Sequence, residues 1–417
     1  MCVSHLWRDL AIKTVSLWTT LYLVYEYSDR PDSESILAEM HRTLERSKSA
    51  PLTIIWDTDH AIPVNNEAID ILRGHIWRLV DLQFEAFTSP LMSDLETILA
   101  CGGVVPTLES LECSGRMDFT HCRDPTERDK PITTLDLLPV PALHVVFTKL
   151  LCLTLVSVWM SCDEFRLVLN TCACLKELFL IDTTTNGYDQ GGGIEMPSLV
   201  VLDFTYIHSN DLRSFLRLIY PPHLRELGIE MTMMDMGRSR WGAEGTEPVG
   251  EGPIIRDLVD FLAANLSCTS TSSPPTSALS KLRLANMFDQ HASWEDYVRL
   301  MEAMPDLRHL DFHFVKFPPM IDVTEDAIKA HGIMCPKLTR LSVTGVSKDF
   351  PFNQLAAILK HRMESGKKLP ILEAYPSDDA AHIPVNEVGG DLWAETVANV
   401  ARSFVGEVTQ YSGAWLM

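Results

Sequence analysis

The chain has 417 residues, of which 35 are Lys or Arg and 56 are Asp or Glu, so its formal net charge is −21 at pH 7. This balance argues against a general nucleic-acid binder and against a protein that binds anionic membranes, because both need basic surface. The hydrophobic fraction of 46% and the charged fraction of 22% are typical of globular proteins.

The first sixty residues differ in pattern from the rest of the chain. Apolar residues at helical spacing predict a helix at the N-terminus: Val3, Leu6, Trp7 and Leu10. Residues 33–47 predict a second helix, and residues 51–56 predict a short strand. No signal peptide precedes them, and the apolar stretch 15–27 is too short to cross a bilayer. We therefore expect a protein of the cytoplasm, the nucleus or both.

One six-residue pattern recurs from residue 79 onward. Residues 175–180 read Leu-Lys-Glu-Leu-Phe-Leu, or L-x-x-L-x-L, and the same spacing of apolar residues returns along the chain. The copies begin at Leu79, Leu108, Leu150, Leu175, Leu199, Leu224, Leu279, Leu307, Leu338 and Leu369. Most copies start about 24 to 31 residues apart, close to the period of leucine-rich repeats. Chance in a leucine-rich chain would explain one copy but not this near-regular register.

The spacing predicts how each repeat folds. Alternate side chains of a strand face the same side, so the fourth and sixth positions of each unit point into a core. Stacked units then share a parallel sheet with helices between the strands. We therefore predict an α/β leucine-rich-repeat solenoid, a horseshoe like that of ribonuclease inhibitor, over residues 61–376. Insertions near 115–139 and 231–277 break the period, and residues 377–417 form a C-terminal cap.

Helices are predicted where apolar residues return at helical spacing between the strands. They cover residues 91–100, 163–170, 253–266 and 392–404, and follow the candidate N-caps Asn210, Ser293, Thr324 and Asn353.

The N-terminal segment, residues 1–60, resembles a known family. It reads V-S-H-L-W-R-D-L from Val3, then S-L-W at residues 16–18, and ends in L-E-R-S-K-S-A-P-L-T-I-I-W at Trp56. These stretches resemble the second half of the F-box, and its follow-on, in fungal F-box proteins with leucine-rich repeats. The family's opening L-P-x-E-I-L segment does not precede them, so the chain is expected to begin inside the motif.

The resemblance implies a function. In that family the F-box docks on a Skp-type adaptor of a cullin (SCF) ubiquitin ligase, and the repeats hold the substrate. It implies that the adaptor contact or its linker includes Leu6, Trp7, Leu10, Leu17 and Trp18. Two alternatives stay open: residues 1–56 only cap the first repeat, and the chain is a free-standing repeat scaffold that does not bind the adaptor.

No residue pattern points to an enzyme or a cofactor. The sequence lacks G-x-S-x-G, H-E-x-x-H, a P-loop and a G-x-G-x-x-G after a strand. Cys172 and Cys174 form a C-x-C without a second pair at zinc spacing. His309 and His313 fall on a predicted strand, where they do not form a helical zinc pair. We expect a non-catalytic, metal-free and monomeric protein.

The remaining candidate site is the exposed face of the strands, made of positions three, five and seven of each unit. This face is predicted to be acidic over its N-terminal two-thirds and mildly basic beyond, with an apolar centre near Phe179. The candidate partner-binding residues are Glu112, Glu177, Phe179, Ile181, Asp203, Glu226, Glu230, Arg283, His309, His313 and Arg340. Such a surface favours a protein partner with a basic segment, and no nucleic acid or membrane.

Overall fold

A computed structural model describes most of the repeat-bearing sequence. It covers residues 5–24, 33–58, 66–86, 108–115, 148–186, 193–206, 209–231, 254–267, 279–286, 293–313, 333–346, 352–376 and 405–409. In these ranges no helix is both long enough and apolar enough to cross a membrane. The chain divides into two compact units, residues 1–199 and 200–417.

The first unit alternates helices and strands. Its elements are α1 (His5–Lys13), a 3-10 turn (Val15–Trp18), β1 (Thr20–Val24), α2 (Ser33–Ser47), β2 (Leu52–Thr58), α3 (Asn66–Arg73), a 3-10 turn (Ile76–Arg78), β3 (Leu79–Ala86), β4 (Ser110–Gly115), β5 (Cys152–Val156), β6 (Trp159–Ser161), α4 (Cys162–Thr171), β7 (Glu177–Ile181), β8 (Thr184–Asn186) and β9 (Ile194–Glu195).

A parallel sheet runs through the first unit in the order β1-β2-β3-β4-β5-β7. The fourth positions of successive repeats lie side by side, as where Leu111 pairs with Leu153 and Leu153 with Leu178. All of these leucines are buried. A short side sheet pairs β6 with β8.

The N-terminal segment contributes the first two strands of this sheet. Their buried residues alternate with more exposed ones, as the repeats do. The buried set is Leu21, Leu23, Leu52, Ile54 and Trp56. The strands Thr20–Val24 and Leu52–Thr58 therefore belong to the same sheet as the repeats.

The second unit repeats the same arrangement. Its elements are β10 (Val201–Tyr206), α5 (Ser209–Leu218), β11 (Ile219–Tyr220), β12 (Glu226–Met231), α6 (Ile254–Ser267), β13 (Lys281–Ala285), α7 (Trp294–Glu302), β14 (His309–His313), β15 (Arg340–Val346), α8 (Phe352–Glu364), β16 (Leu369–Pro376) and β17 (Val405–Thr409). Its sheet is parallel in the order β10-β12-β13-β14-β15-β16-β17.

The leucine pattern accounts for the core of both units. All ten first-position leucines are buried, at 8% exposure or less. The buried side chains at positions four and six are Leu82, Leu111, Leu153, Leu155, Leu178, Leu180, Leu202, Phe204, Leu227, Ile229, Leu282, Leu284, Leu310, Phe312, Leu341, Val343 and Leu372. The α/β leucine-rich-repeat solenoid predicted from the sequence is confirmed in this respect: regularly spaced parallel strands share one apolar face.

Several helix predictions are confirmed, and two caps differ. Ser293 caps α7 with a full capping box, as its spacing to Asp296 predicts. Asn210 and Asn353, predicted as caps, instead lie in the first turns of α5 and α8, because these helices begin at Ser209 and Phe352, one residue before each asparagine. The predicted helices at 91–100, 325–331 and 392–404 lie outside the described residues, as does the predicted cap Thr324. The sequence did not predict β17, which extends the sheet at residues 405–409.

Candidate functional site

Each sheet has one face whose side chains are not covered by the core, called here the open face. In the first unit it carries Thr20, Tyr22, Thr53, Ile55, Asp81, Gln83, Ser110, Glu112, Ser114, Cys152, Thr154, Val156, Glu177, Phe179 and Ile181. In the second unit it carries Val201, Asp203, Thr205, Glu226, Gly228, Glu230, Lys281, Arg283, His309, Asp311, His313, Arg340, Ser342, Thr344, Ile371 and Glu373.

The open face of the first unit carries acids and no base among its described residues. Glu177 is exposed, and Asp81 and Glu112 are half-buried. One carboxylate oxygen of Asp81, Oδ1, is buried and has no hydrogen-bond partner among the residues that the structure describes. Beside these acids lie Phe179, Ile181 and their neighbours in register, Thr154 and Val156, all of which are half-buried.

The acids of this surface affect the pKa of Cys152. Burial raises the pKa of its thiol, and the charge of Glu177 raises it further. Hydrogen bonds with Thr154 and Ser110 act in the opposite direction, while the charge of Asp81 adds to the increase. Cys152 therefore stays a neutral thiol at pH 7 and is not an activated nucleophile.

Four of the five acids described on the open face of the second unit contact bases. Arg283 donates to both carboxylate oxygens of Asp203, at 3.0 and 2.9 Å, across the strand that lies between them. The residue in register between the two is Gly228. A Cβ atom at Gly228 would lie 2.3 Å from Asp203 Oδ2, so glycine is what allows this contact.

Further ion pairs cover the same face. Arg283 also lies 3.7 Å from Glu230, and Lys281 donates to Glu226 at 3.1 Å. Arg340 forms a bidentate pair with Glu373 at 3.0 and 2.9 Å. The acids and bases that the sequence sorts into an acidic and a basic part thus meet in the structure. Their net field is small, because opposite charges are in contact.

Two histidines lie on the open face of the second unit. His309 and His313 bracket one strand, and both lie on its open face. The His313 ring contacts the Thr344 hydroxyl. Among the described residues, no group of three His, Cys, Asp or Glu side chains is placed to hold a metal ion.

The predicted adaptor-docking residues fall into two groups. Trp7, Leu10 and Leu17 are 65%, 52% and 63% exposed, respectively, on α1 and the turn that follows it. Leu6 lies on α1, and its side chain is outside the described part of the structure.

Trp18 belongs to the second group, because it makes contacts within the segment. Its indole Nε1 donates to the carbonyl oxygen of Ala11 at 2.8 Å. The Arg46 guanidinium lies 4.3 Å from the centre of its ring, in a cation–π contact. Trp18 therefore holds α1 and the following turn against α2.

Arg78 joins this segment to the first repeat. It is buried, and its guanidinium donates to Ser47 Oγ at 2.9 Å, Leu44 O at 3.1 Å and Ala50 O at 3.2 Å. These groups lie at and just beyond the C-terminal end of α2, where unpaired carbonyls and the helix dipole favour a cation. This contact could not be predicted from the sequence, because nothing local links an arginine to a helix that ends 31 residues earlier.

Comparisons with known proteins give no family for this chain. No protein-family model matches it, and no curated protein matches it. One solved structure that matches is the crystal structure of the Rad7 and Elc1 complex in yeast, at 11% identity over 92% of each chain. Its TM-score of 0.27 is too low to support a conclusion, so the fold assignment rests on the sheet and its repeats.

Proposed function

We propose that this chain is a non-catalytic protein-binding subunit, and more specifically the substrate-recognition component of a cullin-type ubiquitin ligase. The observation that carries the proposal is the exposed apolar group of Trp7, Leu10 and Leu17. Large apolar side chains exposed together favour a protein contact, since burial of each stabilises a complex. Their place on α1 and its turn agrees with the F-box resemblance of the same residues.

In this proposal the chain has two binding surfaces. The docking segment, residues 5–18, binds a Skp-type adaptor, and the open face of the sheet binds the substrate. The packing of Trp18 and Arg46, and the hydrogen bonds of Arg78, would hold the docking segment in a fixed position on the first unit. A fixed position is useful in a subunit that must present one protein to another. The assembly would act in the cytoplasm or the nucleus.

A second candidate is a free-standing repeat scaffold that binds a protein but no adaptor. It is favoured by one observation: β2 pairs in parallel with the first repeat strand, β3, and β1 pairs in parallel with β2. The N-terminal segment would then serve as the terminal unit of the solenoid, which every repeat array needs.

The test is the affinity of the purified chain for a purified Skp-type adaptor, measured by titration calorimetry. Three proteins are compared: the natural chain, a variant with Trp7, Leu10 and Leu17 changed to Ala, and a control with Tyr22 changed to Ala. Tyr22 is 65% exposed, like Trp7, but it lies on the open face. A fourth protein carries an L-P-x-E-I-L helix fused ahead of the chain.

We expect the natural chain and the Tyr22 control to bind, and the triple variant to lose at least about tenfold in affinity. Binding by the fused version alone would assign the docking surface to the complete motif. Absence of binding by all four proteins would exclude the ligase role and leave the free-standing scaffold.

A further inference from the structure

The acids on the open face of the first unit lie in one row across the sheet. Asp81 pairs in register with Ser110, Ser110 with Cys152, and Cys152 with Glu177. Neighbouring strands are about 4.8 Å apart, so three intervals separate Asp81 from Glu177 by about 14 Å. Glu112 lies in the next row, between them.

No cation meets these acids among the described residues. This distinguishes the first unit from the second, where Asp203, Glu226, Glu230 and Glu373 all contact Lys or Arg. The contrast matters because a paired acid has little charge left for a partner, while an unpaired acid attracts one.

Two further observations fit this contrast. Asp81 Oδ1 is buried and has no hydrogen-bond partner among the described residues, so its carboxylate carries a desolvation cost that a nearby cation would reduce. Cys152 lies in register between Asp81 and Glu177, and the charges of both acids raise the pKa of its thiol.

Apolar side chains lie beside the row of acids. Phe179 pairs in register with Thr154, and Ile181 with Val156, and all four are half-buried. Apolar surface next to unpaired acids suits a partner segment that carries both cationic and apolar side chains.

We propose that the open face of the first unit binds an extended segment of a protein partner that carries two basic residues four positions apart and an apolar residue between them. An extended chain rises about 3.4 Å per residue, so four residues span about 14 Å, the separation of Asp81 and Glu177. Residues four apart also face the same side of an extended chain. This inference deepens the proposed function and rests on it only for the role of the open face in partner binding.

The same surface disfavours nucleic acid and anionic lipid. Both present phosphates, which three unpaired carboxylates repel. A protein segment is therefore the occupant whose charge matches the face.

The test uses three fluorescein-labelled peptides of nine residues, titrated with the full chain and followed by fluorescence anisotropy. The first has arginines at its third and seventh positions, leucine at its fifth and serine elsewhere. The second has the same composition with the two arginines adjacent, so that they face opposite sides. The third has glutamates in place of the arginines.

Two variants of the chain with the same net charge are compared. The site variant carries Asp81→Asn, Glu112→Gln and Glu177→Gln. The control variant carries Glu34→Gln, Glu45→Gln and Asp163→Asn, which neutralise exposed acids on α2 and α4 of the same unit. Thermal unfolding of both variants checks that they fold.

We expect the first peptide to bind the natural chain and the control variant equally, and the site variant about tenfold more weakly at low salt. We also expect the spaced peptide to bind more tightly than the adjacent one, the acidic peptide not to bind, and high salt to weaken the complex. Bound peptide should slow alkylation of Cys152, read by mass spectrometry, and leave exposed Cys174 unchanged.

Any of three results would overturn the inference. These are no saturable binding of the first peptide at low salt, equal affinity of the site and control variants, and equal affinity of the spaced and adjacent peptides. Because no adaptor is present, these results are independent of the ligase test, which can fail or succeed separately.

Discussion

Asp296 shows how one side chain links the surface of the second unit to its stability. It closes the capping box of α7 and also accepts from Arg256 Nε at 2.8 Å. Burial would raise the pKa of this carboxyl, but hydrogen bonds from Arg256 and Ser293 outweigh it and lower the pKa to about 2. The folded state therefore binds this proton more weakly than the unfolded state does.

The sign of the pH dependence follows from this shift. A carboxyl with a lowered pKa stabilises the fold above its ordinary pKa of 3.8, and the effect disappears as the pH falls through about 2. We predict that Asp296→Asn lowers the free energy of unfolding by about 2 kcal/mol at pH 7 and by almost nothing near pH 2. Urea unfolding at a series of pH values measures it.

The matched control is Glu295→Gln, an exposed acid in the same first turn of α7. Its effect should stay within about 0.5 kcal/mol at every pH. An equal loss for both variants, or a loss for Asp296→Asn that does not change with pH, would contradict this account of the carboxyl.

Contacts between neighbouring residues were predictable from the sequence, and contacts between distant residues were not. The Ser293 cap was predictable, because its partner is three residues away and the spacing is visible. The Asp203–Arg283 pair was not, because its partners are 80 residues apart and a glycine between them makes the contact possible. Gly228 falls at the fifth position of its repeat, and nothing in the neighbouring sequence indicates its role in the ion pair.

At the scale of elements, α2 depends on a residue outside it. Arg78 is 3% exposed and donates to the carbonyl oxygens that end this helix. We predict that Arg78→Met lowers the free energy of unfolding by about 2 to 3 kcal/mol, since it removes the hydrogen bonds to Ser47 Oγ, Leu44 O and Ala50 O from a largely buried site. Hydrogen–deuterium exchange should show faster exchange in α2, and urea unfolding gives the free energy.

Arg42→Met is the control for this change. Arg42 lies on the same helix in an exposed pair with Glu39, at 2.9 Å. Such a pair contributes little, so the loss should be within about 0.5 kcal/mol. If Arg78→Met changed the stability no more than this control does, the connection between the docking segment and the first repeat would rest on other contacts.

Elements with their own periodicity were predictable. The helix at Ser33–Ser47 has the bounds predicted from its apolar spacing, and Ile254–Ser267 differs by one residue at each end. β17 was missed because Val405–Thr409 lacks the leucine pattern, and its neighbour β16 supplies the pairing instead. The turns that follow several strands were also missed. Their residues with positive φ are Ser157, Asp182 and Asn286, each at the eighth position of its repeat.

At the scale of the whole molecule, the period of the leucines determined the prediction of the fold. Each repeat contacts the neighbouring repeats through the same buried positions, so a pattern of six residues was enough to place the strands in register. Charge on the open face was harder to predict, because it depends on which side chains reach one another between strands. This is why Asp203, Glu226 and Glu230, predicted from the sequence to form part of an acidic surface, lie in ion pairs.

In the proposed function, the chain joins two other proteins. The direct test is sedimentation velocity of the chain with a purified Skp-type adaptor and the labelled peptide with two spaced arginines. We predict that labelled peptide sediments with the complex of chain and adaptor, and faster than with the chain alone. Displacement of the peptide by the adaptor, or a chain that binds neither, would contradict the claim.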